Sequence, residues 1–256
     1  MKNLARLGVV AGMAILASAS HAKVTHEVFK HGRAWFHVIK ADLREPTVTA
    51  RTLHSPKLRT FADLVSVDQP QAAITGTFFD TRSGYPVGDV LEEGKLVAHG
   101  ARGSVLAIDW LGRPSVFDSG WQERIDWSQY RSALRGTVRV VNSGKVAPNP
   151  KAQKFKDRRI WGMARRSGAG VTKDGQLVLV ATTKSIYLSE LGKAMASRGV
   201  VDGVNLDGGS STALMFGGKM LIKPARKLSN LLAIYETEKK PGTPGYIQLS
   251  SWMRFR

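Results

Sequence analysis

The chain has 256 residues, with 38 Lys and Arg against 20 Asp and Glu, a formal charge of +18 and no cysteine. That length is ample for a core and suits one domain or two equally. The absence of thiols excludes disulfides, thiolate catalysis and cysteine metal sites, and the positive balance favours anionic partners such as phosphodiesters, wall polymers, lipopolysaccharide or nucleic acid.

Residues 1–22 predict a secretory signal peptide. Lys2 and Arg6 form its charged start, residues 7–17 its apolar run, and Ser20-His21-Ala22 a small-x-small cleavage site. The run is too short for a membrane span, and no later segment approaches that length. Cleavage after Ala22 leaves a mature chain that starts at Lys23, carries +16 and lies in the periplasm or outside the cell.

Residues 35–43 (WFHVIKADL) and 47–53 (TVTARTL) read as two early strands. In the second, Val48, Ala50 and Thr52 share one face, and Thr49, Arg51 and Leu53 the other. Thr60 predicts the N-cap of a short helix over 61–67, with Asp63 in its first turn. Residues 71–79 (QAAITGTFF) read as a central apolar strand ending at Asp80. Glu93-Gly94 predicts a hairpin turn before 95–98, and 104–110 and 115–117 a further hairpin. Residues 119–135 read as an irregular or weakly helical insertion, 137–141 as a strand, and the polar stretch 147–159 as an exposed loop. A hairpin over 165–172 and 176–181 turns on Lys173-Asp174-Gly175. The helix 188–198 has Leu188, Leu191 and Met195 as its apolar stripe and Gly199 at its C′ position. Residues 229–236 read as a late strand, and 239–256 as a basic tail after a domain over 23–238. The expected fold is α+β: one domain of mixed, largely antiparallel sheets with a few packed helices.

The chemistry concentrates at Val204–Thr212 (VNLDGGSST). An apolar strand delivers Asp207 to a Gly208-Gly209 turn, followed by Ser210, Ser211 and Thr212. Such a turn points several N–H groups at one spot and makes an anion-binding concavity. A bland strand–turn with a hydroxyl-rich tail is the plainer alternative. Gly203–Ser210 superficially resembles a P-loop but lacks its lysine. Asp80, Asp89, Glu92 and Glu93 match no cation-loop spacing and read as a solvated turn. The six histidines show no ligand spacing, so no metal and no cofactor are expected.

Residues 205–212 (NLDGGSST) resemble the signature of the phosphodiester glycosidase family. Residues 73–80 (AITGTFFD) are similar to its Asn-Gly-Gly-Phe-Phe strand end, with Thr75 and Thr77 in place of Asn and Gly. Pro86-Val87-Gly88, Glu93-Gly94-Lys95, the arginine-led hairpin 165–175, the helix 188–199 and the closing segment 225–230 continue the likeness. The resemblance implies hydrolysis of a sugar-1-phosphodiester on a cell-envelope or exported glycan. Phosphate is a weakly basic leaving group, so charge stabilisation matters more than a general acid. Asp207 is then the candidate nucleophile or general base. Gly208, Gly209 and Ser210 would offer N–H groups to phosphate, and Ser211 and Thr212 hydroxyls. Arg165 or Arg166 would clamp its oxygens, though both read equally well as ordinary hairpin charges. Asp80 is a possible second carboxylate or a cap. Thr75, Gly76 and Asn205 complete the candidate binding set. A non-catalytic module for anionic polysaccharide is the alternative. A nucleic-acid binder is the third reading, without a recognised motif or an aromatic–basic stripe.

Overall fold

The computed structural model describes residues 23–100, 102–120 and 123–237. The signal segment 1–22 and the tail 239–256 lie outside the described residues, as does Trp121. In chain order the elements begin with β1 (Val24–His31), β2 (Ala34–Ala41), β3 (Val48–Arg59), α1 (Phe61–Val65) and β4 (Ala72–Thr75). Two hairpins follow, β5 (Val90–Glu92) with β6 (Lys95–Ala98), and β7 (Ser104–Asp109) with β8 (Pro114–Asp118). Then come β9 (Tyr130–Asn142), β10 (Lys145–Val146), α2 (Arg158–Trp161), β11 (Ala164–Thr172), β12 (Leu177–Ile186) and α3 (Leu188–Ala196). The described chain closes with β13 (Val200–Asn205), β14 (Leu214–Phe216), β15 (Lys219–Ile222) and β16 (Leu228–Glu236).

Among the described residues the strands form an eleven-stranded sheet, with β1-β2-β12-β11-β13-β9-β5-β6 as its main path, and a five-stranded sheet ordered β15-β14-β4-β16-β3. The expected antiparallel character goes further than predicted, since each pairing described is antiparallel. The two sheets pack face to face. Ile39, Leu179, Val204 and Leu206 of the large-sheet side meet Ala50, Ile74, Leu232 and Ile234 of the small one.

Each outer face is covered by a helix. Leu188, Leu191 and Met195 of α3 lie on Val138, Val140, Val178 and Val180, as the apolar stripe predicts. Each such buried side chain contributes roughly 1.5–3 kcal/mol. Phe61 of α1 packs with Leu53, Ala73, Leu231 and Ala233 on the outer face of the small sheet. Thr60 and Asp63 form a reciprocal capping box there. Because β4 and β16 are covered on both sides, their sequences read as continuous apolar runs rather than alternating ones.

Four readings are corrected. The strand expected over 71–79 runs only from Ala72 to Thr75, with Phe79 forming an isolated bridge to Pro86. Beyond it, Gly76 N–H goes to the Asn230 carbonyl at 3.1 Å and Thr77 N–H to Asn230 Oδ1 at 2.7 Å, so a side chain takes over from the ladder. The irregular insertion expected over 119–135 ends early, because Tyr130 opens the 13-residue strand β9. Its charged residues disguised it: Arg131 pairs with Glu93, and Arg135 with Asp89. The supposedly solvated Asp89 is therefore buried, with its carboxylate also accepting Gly100 N–H at 2.8 Å. Finally, Val24–His31 forms an edge strand where no element was predicted.

Candidate active site

β13 runs between β11 and β9 in the large sheet and ends at Asn205. Leu206 N–H still bonds to Ser167 O at 2.9 Å, but Asp207 N–H crosses to Gly76 O, also at 2.9 Å, at the end of β4 in the small sheet. A single 3-10 turn over Gly209–Ser211 follows, and the chain then enters the small sheet as β14. The Asp207 loop is thus the crossover from one sheet to the other. Thr75 N–H bonds to Ala213 O at 3.3 Å. Thr75, Gly76, Asn205 and the whole of Asp207–Thr212 are brought together by these bonds.

Asp207 is half-buried as a residue, but its carboxyl group lies among protein atoms. That desolvation pushes its pKa up to about 6, against the opposing pull of Ser211, the Gly208 N–H and the Arg226 charge. Gly208 N–H donates to Asp207 Oδ1 at 2.8 Å, so it is not free to meet an anion as expected. Ser211 and Thr212 N–H turn back onto the Gly208 and Gly209 carbonyls, at 3.0 and 3.3 Å. Gly209 and Ser210 are left as the N–H donors of the turn. Gly208 has a packing reason as well, since a Cβ there would lie 2.6 Å from the Arg165 carbonyl oxygen.

Several buried polar side-chain atoms flanking this loop have no hydrogen-bond partner: Asn205 Oδ1, Thr212 Oγ1, Ser167 Oγ and Arg165 Nε. Buried polar groups are ordinarily paired, and leaving one unpaired costs about 1–3 kcal/mol. All four are closed off from the surface and belong to residues that flank the loop.

The two arginines separate. Arg165 stands beside the loop, its backbone against Gly208 and its Nη2 donating to Lys223 O at 3.3 Å. Arg166 is buried and donates to the carbonyls of Ile186, Ile160 and Gly162. Burial without a carboxylate partner pushes its pKa down to about 10. As a phosphate ligand it gives way to a structural role, tying α2 to the end of β12. Asp80 also departs from its candidate role. It is exposed and accepts the N–H groups of Arg82 and Ser83 and the Ser83 hydroxyl. Those bonds hold its pKa below the usual carboxylate range and make it a turn residue.

Sequence reasoning missed Arg226, which lies close enough to act on the Asp207 charge. It also missed Asn230, whose side chain clasps both the N–H and the carbonyl of Thr77. A polar residue inside the apolar run of β16 was the available signal for Asn230. Thr77 in turn donates its hydroxyl to Arg135 O at 2.7 Å. Among the described residues no three His, Asp or Glu side chains gather as a metal site. Two open depressions, of ≈ 450 Å³ beside Trp110 and Tyr130 and ≈ 320 Å³ beside Trp161 and Tyr187, are not lined by the loop.

The model of one family, phosphodiester glycosidase, matches residues 68–235, a span that contains β4, the Asp207 loop and Asn230. The chain belongs to the phosphodiester glycosidase family. It is similar to the N-acetylglucosamine-1-phosphodiester alpha-N-acetylglucosaminidase of Mus musculus, at 22% identity over 204 residues, covering 66% of this chain and 38% of that protein. The chain therefore spans little more than a third of the length of that relative. Among solved structures, the zebrafish N-acetylglucosamine-1-phosphodiester alpha-N-acetylglucosaminidase catalytic domain, auto-inhibited by its pro-peptide, superposes with a TM-score of 0.72 at 19% identity, over 86% of this chain and 85% of that one. A hypothetical protein from Synechocystis superposes with a TM-score of 0.63 at 15% identity, over 84% and 62%. These likenesses establish that the phosphodiester glycosidase fold is shared.

Proposed function

We propose that this phosphodiester glycosidase family member is an exported hydrolase that cleaves a sugar-1-phosphodiester at the glycosyl–phosphate bond, on a cell-envelope or exported glycan. The observation that carries the reading is the desolvated Asp207 carboxyl, its pKa pushed up to about 6, on a sheet-to-sheet crossover loop flanked by unpaired buried polar atoms. A group with that pKa is mostly ionised at neutral pH yet basic enough to take a proton, which suits a general base.

In the proposed step, water attacks the anomeric carbon while Asp207 accepts its proton. The bond from that carbon to the phosphate oxygen breaks, and its electron pair leaves with the phosphate. The products are a free sugar and a phosphomonoester. Arg165, Arg226 and the N–H groups of Gly209 and Ser210 meet the charge that grows on the leaving phosphate. Thr75, Asn205, Ser211 and Thr212 are buried beside the loop and would hold the carboxyl in position.

Residues 1–22 are the proposed export signal, 23–238 the catalytic domain and 239–256 a basic tail. N-terminal sequencing of the exported protein should begin at Lys23, and uncleaved chain held in the membrane would contradict export. The decisive experiment offers a chromogenic glycosyl-1-phosphodiester and measures free sugar and phosphomonoester in equal amounts. Tight binding of such compounds without turnover would favour the anionic-polysaccharide binding module instead.

A further inference from the structure

The segment 223–227 (KPARK) joins β15 to β16 and is strapped over the Asp207 loop from two sides. Ala225 N–H bonds to Ser210 O at 2.7 Å, and Arg165 Nη2 bonds to Lys223 O at 3.3 Å. Lys223, Arg226 and Lys227 are all exposed. Arg59, also exposed, stands in the β3–β16 ladder opposite Leu228, the residue that follows Lys227.

Seven arginines elsewhere in the described fold are already matched by a carboxylate. Arg44, Arg51, Arg131, Arg135, Arg139, Arg159 and Arg198 each have a carboxylate within ion-pair distance. Among the described residues Lys223, Lys227 and Arg59 have none. Asp63 is the acidic group that faces Lys227 and Arg59, and it does so only at longer range. Like charges held side by side repel, and they also focus a field that attracts polyanions.

A charge count then decides what the row fits. One phosphodiester carries one negative charge, and Arg165 with Arg226 already exceed it at the Asp207 loop. Lys223, Lys227 and Arg59 have no work to do on a single phosphate. We propose that these three side chains form a track for further phosphates of the same chain, so that the substrate is a polysaccharide with repeated phosphodiesters rather than a lone soluble sugar phosphodiester. The strap carries no aromatic residue on which nucleobases could stack, which favours a phosphorylated glycan over single-stranded nucleic acid. The identity of the cleaved bond rests on the function proposed above; the track itself does not.

The test compares wild type with the R59Q/K223Q/K227Q variant, using inorganic polyphosphate as a binding probe and a small chromogenic sugar-1-phosphodiester as a turnover probe. All three side chains are exposed, so matching thermal melts are expected. Polyphosphate affinity should fall at least tenfold in the variant. The slope of log affinity against log salt should flatten by about 2, the loss expected for three phosphate contacts on a single strand. Turnover of the small substrate should be unchanged. Equal affinity and slope in the two proteins would overturn the track, whatever the turnover. Tighter binding of single-stranded DNA than of polyphosphate of equal charge would overturn the glycan assignment. Track-dependent binding with no turnover of any sugar-1-phosphodiester would leave the track standing and remove the catalytic reading.

Discussion

Asp207→Asn separates catalysis from folding, because the two should move in opposite directions. The folded carboxyl has its pKa raised from 3.8 to about 6 by burial, a shift that corresponds to about 3 kcal/mol. A raised carboxyl pKa means that the ionised form is disfavoured in the fold. The stability associated with Asp207 is thus fully present below pH 3.8 and lost as pH rises through about 6. At pH 8 the wild type bears that loss, and asparagine, which never ionises, does not. Asparagine Oδ1 can still accept the Gly208 N–H, and its amide can donate to the Ser211 oxygen. The variant should therefore melt several degrees higher at pH 8, with ~3 kcal/mol as the ceiling because Asp207 keeps some solvent contact. Turnover of a glycosyl-1-phosphodiester should fall on the order of a thousandfold, about 4 kcal/mol of barrier. Differential melts of both proteins from pH 8 down to pH 4 check the sign, since the gap should close as the wild-type carboxyl protonates. Near-wild-type turnover with an unchanged melting temperature would refute both the base assignment and the buried-carboxyl account.

Arg165→Ala should raise KM with little change in melting temperature, whereas Arg166→Ala should leave three carbonyls unpaired and cost about 2 kcal/mol or more of stability; paired kinetics and melts distinguish them. Asp89→Ala strands the buried Arg135 guanidinium and should destabilise by about 3–5 kcal/mol, read from urea unfolding midpoints. Gly208→Ala forces a Cβ against the Arg165 carbonyl and should shift the loop, abolishing binding of phosphate analogues in titration while the far-ultraviolet spectrum stays native.

Much of the local structure is legible in the sequence because its causes are short-range. The Thr60–Asp63 capping box, the Glu93-Gly94 turn, the α3 stripe and the hairpin on Asp174-Gly175 each depend on residues a few positions apart. The Asp207 loop was found the same way, through an apolar strand, two glycines and three hydroxyls in a row. The first part of β9 was not legible, although 137–141 reads as strand. Residues 130–135 read as irregular because nothing local says that Arg135 meets Asp89 from 46 positions away.

What the loop does was decided by tertiary structure. Asn230 reaches Thr77 across 153 positions, and that clasp ends β4 where Gly76 can receive the Asp207 N–H. Neighbouring arginines in a strand point to opposite sides, but only packing determined that Arg165 flanks the loop while Arg166 supports α2. Asp80 and Asp207 both follow apolar strands in the sequence. One became an exposed turn acceptor and the other a desolvated carboxyl, because the crossover between sheets passes through the second and not the first. Residue type and spacing set which groups were available; burial, which depends on the whole chain, set their charge and their chemistry.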